Sequence, residues 1–328
     1  MLTKMNARLG ALLAAATLSL SPVAAKEVVT MVHPTDPAFE ASVWPILNGK
    51  VTSDKVDLQV SFTSIEAVIH AVGTQQYDLI PMVTNILPKL AQRGLPAKII
   101  ATNQRYSFKG GGSRVYVAAD GPIKTVADLK GKTIGVTSLN SSGVTAARVT
   151  MAKLFGANVA LDGGDFKWVE MPLAVLPTAL KSHRIDAAVL SNQFDYNAYN
   201  DTKDYRLLFP QGLKDALGVA VPGTVVLGYE PKLKARPEVF EEAARLLKAS
   251  AEYVRTHQDE VFGAVAKKNN IDAAYLKWYY EYYANIPYDL TQDDLKGIVA
   301  FWDALDSLKM GSGKPDVKSL VWDKVKVE

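Results

Sequence analysis

The stretch TVADLKGKTIGVTSLNSSG, from Thr125 to Gly143, decides how the chain folds. Thr125 and Asp128 bracket a short helical turn in the manner of a capping box. Gly131 ends that turn, because a left-handed residue is least strained as glycine. Lys132 to Thr137 then reads as a buried strand, and Ser138-Leu139-Asn140-Ser141-Ser142-Gly143 opens the next helix. A strand that stops in small polar residues at a helix start makes an anion site, since free backbone N–H groups and the positive end of the helix dipole point outward there. Ser and Asn are also the usual helix caps, so the same run fits a capped start that holds no ligand.

On either side of this stretch, strands alternate with helices. Glu27 to His33 is a first strand, broken by Pro34-Thr35-Asp36-Pro37. The helix from Ala38 is expected to be interrupted at Trp44-Pro45, where proline removes a donor. Val56, Leu58, Val60 and Phe62 alternate in a second strand, and Thr63 with Glu66 caps the helix after it. Tyr77 to Val83 is a third strand ending in Thr84-Asn85, and Lys98 to Thr102 a fourth. Asn103 to Ser113 breaks the rhythm with Gly110, Gly111 and Gly112, as expected of a crossing between lobes, although an ordinary flexible loop has the same composition.

Beyond it come strands at Arg114–Ala118, Phe166–Glu170 and Ile185–Leu190, then a return crossing at Val221-Pro222-Gly223-Thr224. Val225 to Tyr229 rejoins the first lobe, and helices follow from Pro237, Asp272 and Thr291. The prediction is an α/β chain of two lobes, each a mostly parallel sheet flanked by helices. Residues 26–110 and 224–328 form the first lobe and 111–223 the second.

One segment echoes another. AVGTQQYDLIPMVTN around Asp78 and ALKSHRIDAAVLSNQ around Asp186 both end a helix, open a strand at an Asp and finish it in polar residues. Ligands of open α/β sheets sit outside the carboxyl ends of the strands. Two lobes with polar residues at those ends therefore face one another across a cleft.

Among 328 residues, 48% are hydrophobic and 22% charged, with a formal net charge of +3. Such values are ordinary for globular proteins, and no basic run points to nucleic acid. Lys4 and Arg8, the apolar run Leu9–Leu20 and the small residues Val23-Ala24-Ala25 read as a leader cleaved after Ala25, with an uncleaved anchor as the alternative. There is no Cys, hence no lipid anchor on a cleaved N-terminal Cys and no disulfide. The expected mature chain is a soluble, exported monomer. His33, His70, His183 and His257 lack metal-ligand spacing, and no metal or cofactor is expected. His33, beside Pro34, is the one histidine placed near the cleft.

The order of these pieces resembles a family. The leader, the turn at Asp78–Asn85, TVADLKGKTIGV, the small polar helix start, RIDAAVLSNQFD and a helical tail together resemble the substrate-binding proteins of ABC importers. The similarity is to the group serving nitrate, alkanesulfonates, taurine and thiamine-pyrimidine precursors. It implies a two-lobed periplasmic binding protein fold that closes on its ligand, with a permease and an ATPase in the inner membrane as partners. It also implies ligand contacts from Ser138, Asn140, Ser141 and Ser142 and from Thr84 and Asn85. Asn192, Gln193, Phe194 and Asp195 fall where many members carry a Trp-Asp-Pro turn; here Phe194 stands for the Trp and Tyr196 for the Pro. Thr35 and Asp36, after the first strand, complete the candidate set.

Asp195 has two possible jobs: an N-cap, or an acceptor for an amino group on a zwitterion such as taurine. Tyr275, Trp278, Tyr279, Tyr280, Tyr282 and Tyr283 look like an aromatic ligand box, but the expectation is a helix that packs Tyr275, Trp278, Tyr279 and Tyr282 on its own lobe, with tyrosine hydroxyls reaching water. Two function classes remain. One is a binding module for a small acidic, zwitterionic or heterocyclic solute. The other is an exported enzyme on the same scaffold, disfavoured because no Cys, G-x-S-x-G or paired His–carboxylate motif is present.

Overall fold

The computed structural model describes residues 25–107 and 112–328. The leader through Ala24 and the crossing residues 108–111, Gly110 and Gly111 included, lie outside them. The chain opens with β1 (Glu27–Pro34), α1 (Pro37–Leu47), β2 (Val56–Thr63), α2 (Ile65–Thr74), β3 (Leu79–Val83), α3 (Leu87–Gln92) and β4 (Ala97–Tyr106). A second sheet follows with β5 (Arg114–Ala118), β6 (Thr133–Val136), α4 (Ser142–Phe155), β7 (Lys167–Glu170) and α5 (Leu176–Lys181). It is completed by β8 (Ala187–Leu190), α6 (Asn192–Asn200), β9 (Tyr205–Leu207) and α7 (Leu213–Leu217). The chain then returns through β10 (Pro222–Tyr229), α8 (Glu230–Ala235), α9 (Pro237–Thr256), α10 (Gln258–Asn269), α11 (Ala273–Trp278), β11 (Ala284–Asn285) and α12 (Gln292–Ser307).

Both sheets are mixed rather than mostly parallel. The first runs β11-β4-β10-β3-β1-β2 and the second β7-β6-β8-β5-β9. β1 pairs in parallel with β2 and β3, and β6 with β7 and β8. β10 is antiparallel to β3 and β4, and β5 to β8 and β9. The cause is the crossings. A strand that enters a lobe from the cleft side starts where the other strands end, so it must run the opposite way. Pro222 already pairs with Arg105, which makes the expected return crossing at 222–224 part of β10.

Local chemistry sets the ends of the elements. Asp128 accepts from the Thr125 N–H at 2.8 Å and its hydroxyl at 3.0 Å, and Gly131 has φ +76°. Ser64, not Thr63, caps α2 by accepting from Ala67 N. Thr291 and Asp294 cap each other's backbone at α12. α1 runs through Pro45, which lies within the helix's last turn and packs its buried face against α9. β2 buries Val56 and Leu58 and exposes Asp57 and Gln59, the two-residue period of a half-buried strand.

The echo around Asp78 and Asp186 is one device built twice. Asp78 Oδ2 accepts from Thr30 N at 2.9 Å, and Asp186 Oδ2 accepts from Thr133 N at 2.8 Å. In return Asp78 N donates to Thr30 O and Asp186 N to Thr133 O. Each Asp thus pins the start of one strand to its parallel neighbour.

The two lobes also share apolar packing. Ala146 and Val149 of α4 and Leu213 of α7 belong to the buried cluster that holds Tyr106, Val221, Phe301 and Leu305.

Candidate functional site

The carboxyl ends of β1, β3, β6 and β8 and the starting ends of β5 and β10 converge between the sheets. Asn85, just after β3, donates to Asn140 O at 3.1 Å and to Thr145 Oγ1 at 3.2 Å on the opposite side. Tyr106 Oη and Ser142 Oγ are 2.7 Å apart, both buried. Asp36 accepts from Tyr275 Oη at 3.0 Å. Burial raises the Asp36 carboxyl to about 6, while its hydrogen bonds to Ala38, Tyr275 and Asn192 pull the other way. Tyr283 faces Ser113 and the Asn192 backbone, and its hydroxyl pKa rises well above the ordinary value through burial and the nearby Tyr106 and Asp195. Burial likewise pushes Tyr106 up to about 12. These neutral hydroxyls serve as hydrogen-bond groups, not as bases.

Two glycines let the sides meet. A Cβ on Gly143 would lie 1.8 Å from Ser113 Oγ, and one on Gly223 would lie 2.6 Å from Tyr106 Cζ. Glycine at the first turn of α4 is what allows β5's lead-in to lie against the helix start.

Of the candidate residues, Asp36, Asn85, Asn140, Ser142 and Asn192 come together along this seam. Asn192 adopts φ +52°, a left-handed conformation that Asn tolerates better than most residues. The others are placed differently. Thr84 is fully buried, and its hydroxyl donates to Pro222 O within its own lobe at 2.7 Å. Thr35 is exposed at the rim. Ser141 caps α4 by accepting from Val144 N, and Ser138 Oγ accepts from Asn140 N. Gln193 is half-buried in the first turn of α6, and Phe194 packs against the second sheet's core. The helix start expected to be an open anion site already holds a carboxylate of this chain: Leu139 N donates to Glu170 Oε1 at 2.7 Å. Glu170 reaches it because β7 ends beside β6.

Asp195 is fully buried and turned into the protein. It accepts from Arg114 Nε at 2.9 and 3.1 Å and from Tyr116 Oη at 2.6 Å. Burial raises its carboxyl to about 6, against the pull of Arg114 and Tyr116. Arg114 opens β5, with its guanidinium carbon 4.5 Å from the Tyr199 ring centroid and 5.3 Å from that of Trp278 across the cleft. Arg114 escaped the sequence reading because it sits at a strand's start, whereas the rule applied there looks at strand ends. A charged residue opening a strand just after a glycine-rich crossing was the available signal.

The aromatic segment also differs from expectation. After α11 the chain makes a π-helical turn at Tyr279–Tyr283, a form frequent at functional sites. Tyr275 and Trp278 are not confined to their own lobe: Tyr196 of α6 lies 5.7 Å from Tyr275 and 5.4 Å from Trp278, ring centre to ring centre. Tyr279 accepts from Gln104 Nε2 at 2.6 Å. His33 is buried in the first lobe, 2.9 Å from Tyr288 Oη and stacked on Phe39. Burial lowers its imidazole to about 3. Among the described residues there is no cluster of three or more His, Asp or Glu that could hold a metal, and no helix long and apolar enough to cross a membrane.

Residues 49–208 match the family model described as the ABC transporter phosphonate periplasmic substrate-binding protein. No curated protein matches the chain in sequence. The aliphatic sulphonate binding protein SsuA from Escherichia coli is similar in structure, with TM-score 0.69 at 15% identity over 93% of this chain and 94% of that one. The alkanesulfonate-binding protein SsuA from Xanthomonas axonopodis pv. citri, bound to MOPS, gives 0.68 at 15% identity over 91% and 99%. The desulfurization enzyme DSZB gives 0.60 at 14% identity over 91% and 97%. At such identities the likeness is one of fold, and the fold carries both binding proteins and an enzyme.

Proposed function

We propose that this chain, of which residues 49–208 match the periplasmic substrate-binding proteins of ABC transporters, captures a small acidic or zwitterionic organic solute, sulfonate- or taurine-like, in the interlobe cleft and delivers it to a membrane permease and its ATPase. Residues 26–110 with 222–328 act as one body and 111–221 as the other, the return boundary lying at Pro222 because β10 starts there, after removal of the leader at Ala25 in the periplasm. The observation that supports the acidic ligand is the donor set on the second lobe's side of the cleft. Ser142 stands at the start of α4, and Arg114 is a permanent cation held in place by Asp195. Asp195 acts here through Arg114 and not on the ligand. The sulfonate-binding neighbours have the same fold.

A thermal-shift screen of alkanesulfonates, taurine, nitrate, aromatic acids and pyrimidines tests the proposal. Ligand at one hundred times its dissociation constant stabilises the protein by about 2.7 kcal/mol. Replacing Ser142 with Ala, or Arg114 with Gln, should weaken an acidic ligand by roughly 1.5–3 kcal/mol per lost charged hydrogen bond. Small-angle scattering should show compaction with the same ligand. Absence of a shift with every acidic solute would sink the proposal.

A second ligand class has an observation of its own. The aromatic side chains Tyr275, Trp278, Tyr283 and Tyr196 meet at the cleft, a surface suited to a flat heterocycle or aromatic solute. A pyrimidine that outcompetes taurine in the same screen would favour it.

A further inference from the structure

The charges along the seam do not balance. Arg114 and Asp195 cancel one another as a pair on the second lobe. Asp36, on the first lobe's side, is left over. Among the described residues no Lys, Arg or His pairs with it, and its neighbours are neutral donors. Oδ1 accepts from Ala38 N at 2.8 Å and from Tyr275 Oη at 3.0 Å, while Oδ2 has the same hydroxyl at a longer 3.3 Å. One hydroxyl proton does not serve both oxygens, and an ionised carboxylate has room for about four donors. Asn192 reaches the carboxyl from the second lobe, which puts it on the seam and not inside one lobe. Burial raises its pKa only to about 6, so it is ionised at neutral pH.

Asp36 also caps α1, but a cap needs an oxygen and not a charge, and Asn or Ser supplies it equally well. A carboxylate enclosed without a cation is costly. The rings around it suit a cation. Tyr275, whose hydroxyl touches Asp36, stands 6.4 Å from Trp278 with the two planes 28° apart, and Tyr196 of the second lobe lies 5.7 and 5.4 Å from them. Ring faces attract cations through their quadrupole, the more so where water is excluded. We propose that Asp36, with the faces of Tyr196, Tyr275 and Trp278, binds a protonated amine of the ligand, so that the cleft selects an amino acid-type zwitterion over its amine-free counterpart. This rests on the cleft reading above and assigns the ligand's cationic end, which Asp195 does not serve because Arg114 already occupies it.

Calorimetric titration of the full mature chain with two matched pairs tests it: taurine against propane-1-sulfonate, and 2-aminoethylphosphonate against propylphosphonate. Within a pair an ammonium replaces a methyl of similar size, so the contribution of the acidic head cancels. At least one amine member should bind about tenfold or more tighter than its partner, the worth of one charge-assisted hydrogen bond. Asp36→Asn keeps the cap oxygen and should erase that preference while leaving the amine-free partner unchanged. Tyr196→Leu, a change at a half-buried residue, carries the test should Asp36→Asn fail to fold. It should weaken the amine member by about threefold and spare its partner. Arg114→Gln, a change at the acidic end, should weaken both members alike. Pairs that bind equally well, or an Asp36→Asn variant that keeps the preference or weakens both members equally, would overturn the inference while the acidic-ligand reading stands. Silence from all four solutes would overturn both.

Discussion

The two lobes build their backbones alike and furnish the cleft differently. Thr30–Asp78 in the first and Thr133–Asp186 in the second pin paired strands by the same reciprocal hydrogen bonds. Past those strands the resemblance ends. The first lobe offers Tyr106, Tyr275, Trp278, Tyr279 and Tyr283, large rings that exclude water. The second offers Ser113, Arg114, Ser142 and Asn192, small or charged groups backed by Asp195. A repeated scaffold fixes where side chains arrive, and their chemistry is set separately on each side. One wall supplies shape and desolvation, and the other supplies donors and charge.

Breaking the charged wall should have the largest effect. Asp195→Ala leaves Arg114 partly buried without its carboxylate, and loss of one partner of a buried pair costs about 3–5 kcal/mol. Urea unfolding would read it. A change below 1 kcal/mol would mean that water or another acceptor satisfies Arg114, and that the charged wall is not built as described.

The apolar lobe has its own weak point at His33. Its folded pKa, about 3, lies below the unfolded value of 6.5, so the unfolded chain binds the extra proton. Stability is therefore lost as pH falls from about 6.5 towards 3, and is fully present above 6.5. Relative to His33→Gln, the native protein should lose about 2 kcal/mol between pH 7 and pH 5. Parallel pH profiles for the two proteins would remove His33 from the account of acid sensitivity.

The repeated anchor permits a matched test. Asp186→Ala frees the Thr133 N–H and should cost about 1–2 kcal/mol. Asp78→Ala should cost more, since Asp78 also accepts from the Thr30 hydroxyl at 3.2 Å and lies 3.0 Å from Lys232 Nζ. The reverse order of melting temperatures would contradict the equivalence of the two devices. The smallest effect sits on the seam itself. Tyr106→Phe removes one hydrogen bond to Ser142 and should lower stability by about 0.5–1.5 kcal/mol, and it should do so only while the lobes are together.

The sequence by itself determined what short-range chemistry controls. The Asp128 turn, the glycine stop at Gly131, the Thr291 cap and the alternation of β2 follow from contacts a few residues apart, and each is found where it was expected. The echo at Asp78 and Asp186 was legible for the same reason, because both copies place a local Asp before a strand. Only the tertiary structure decided the mixed sheets, since strand direction depends on which side of the cleft the chain enters. It also decided the partners of Asp195. Arg114 and Tyr116 are about eighty residues from Asp195 in the chain and meet it through β5 pairing with β8.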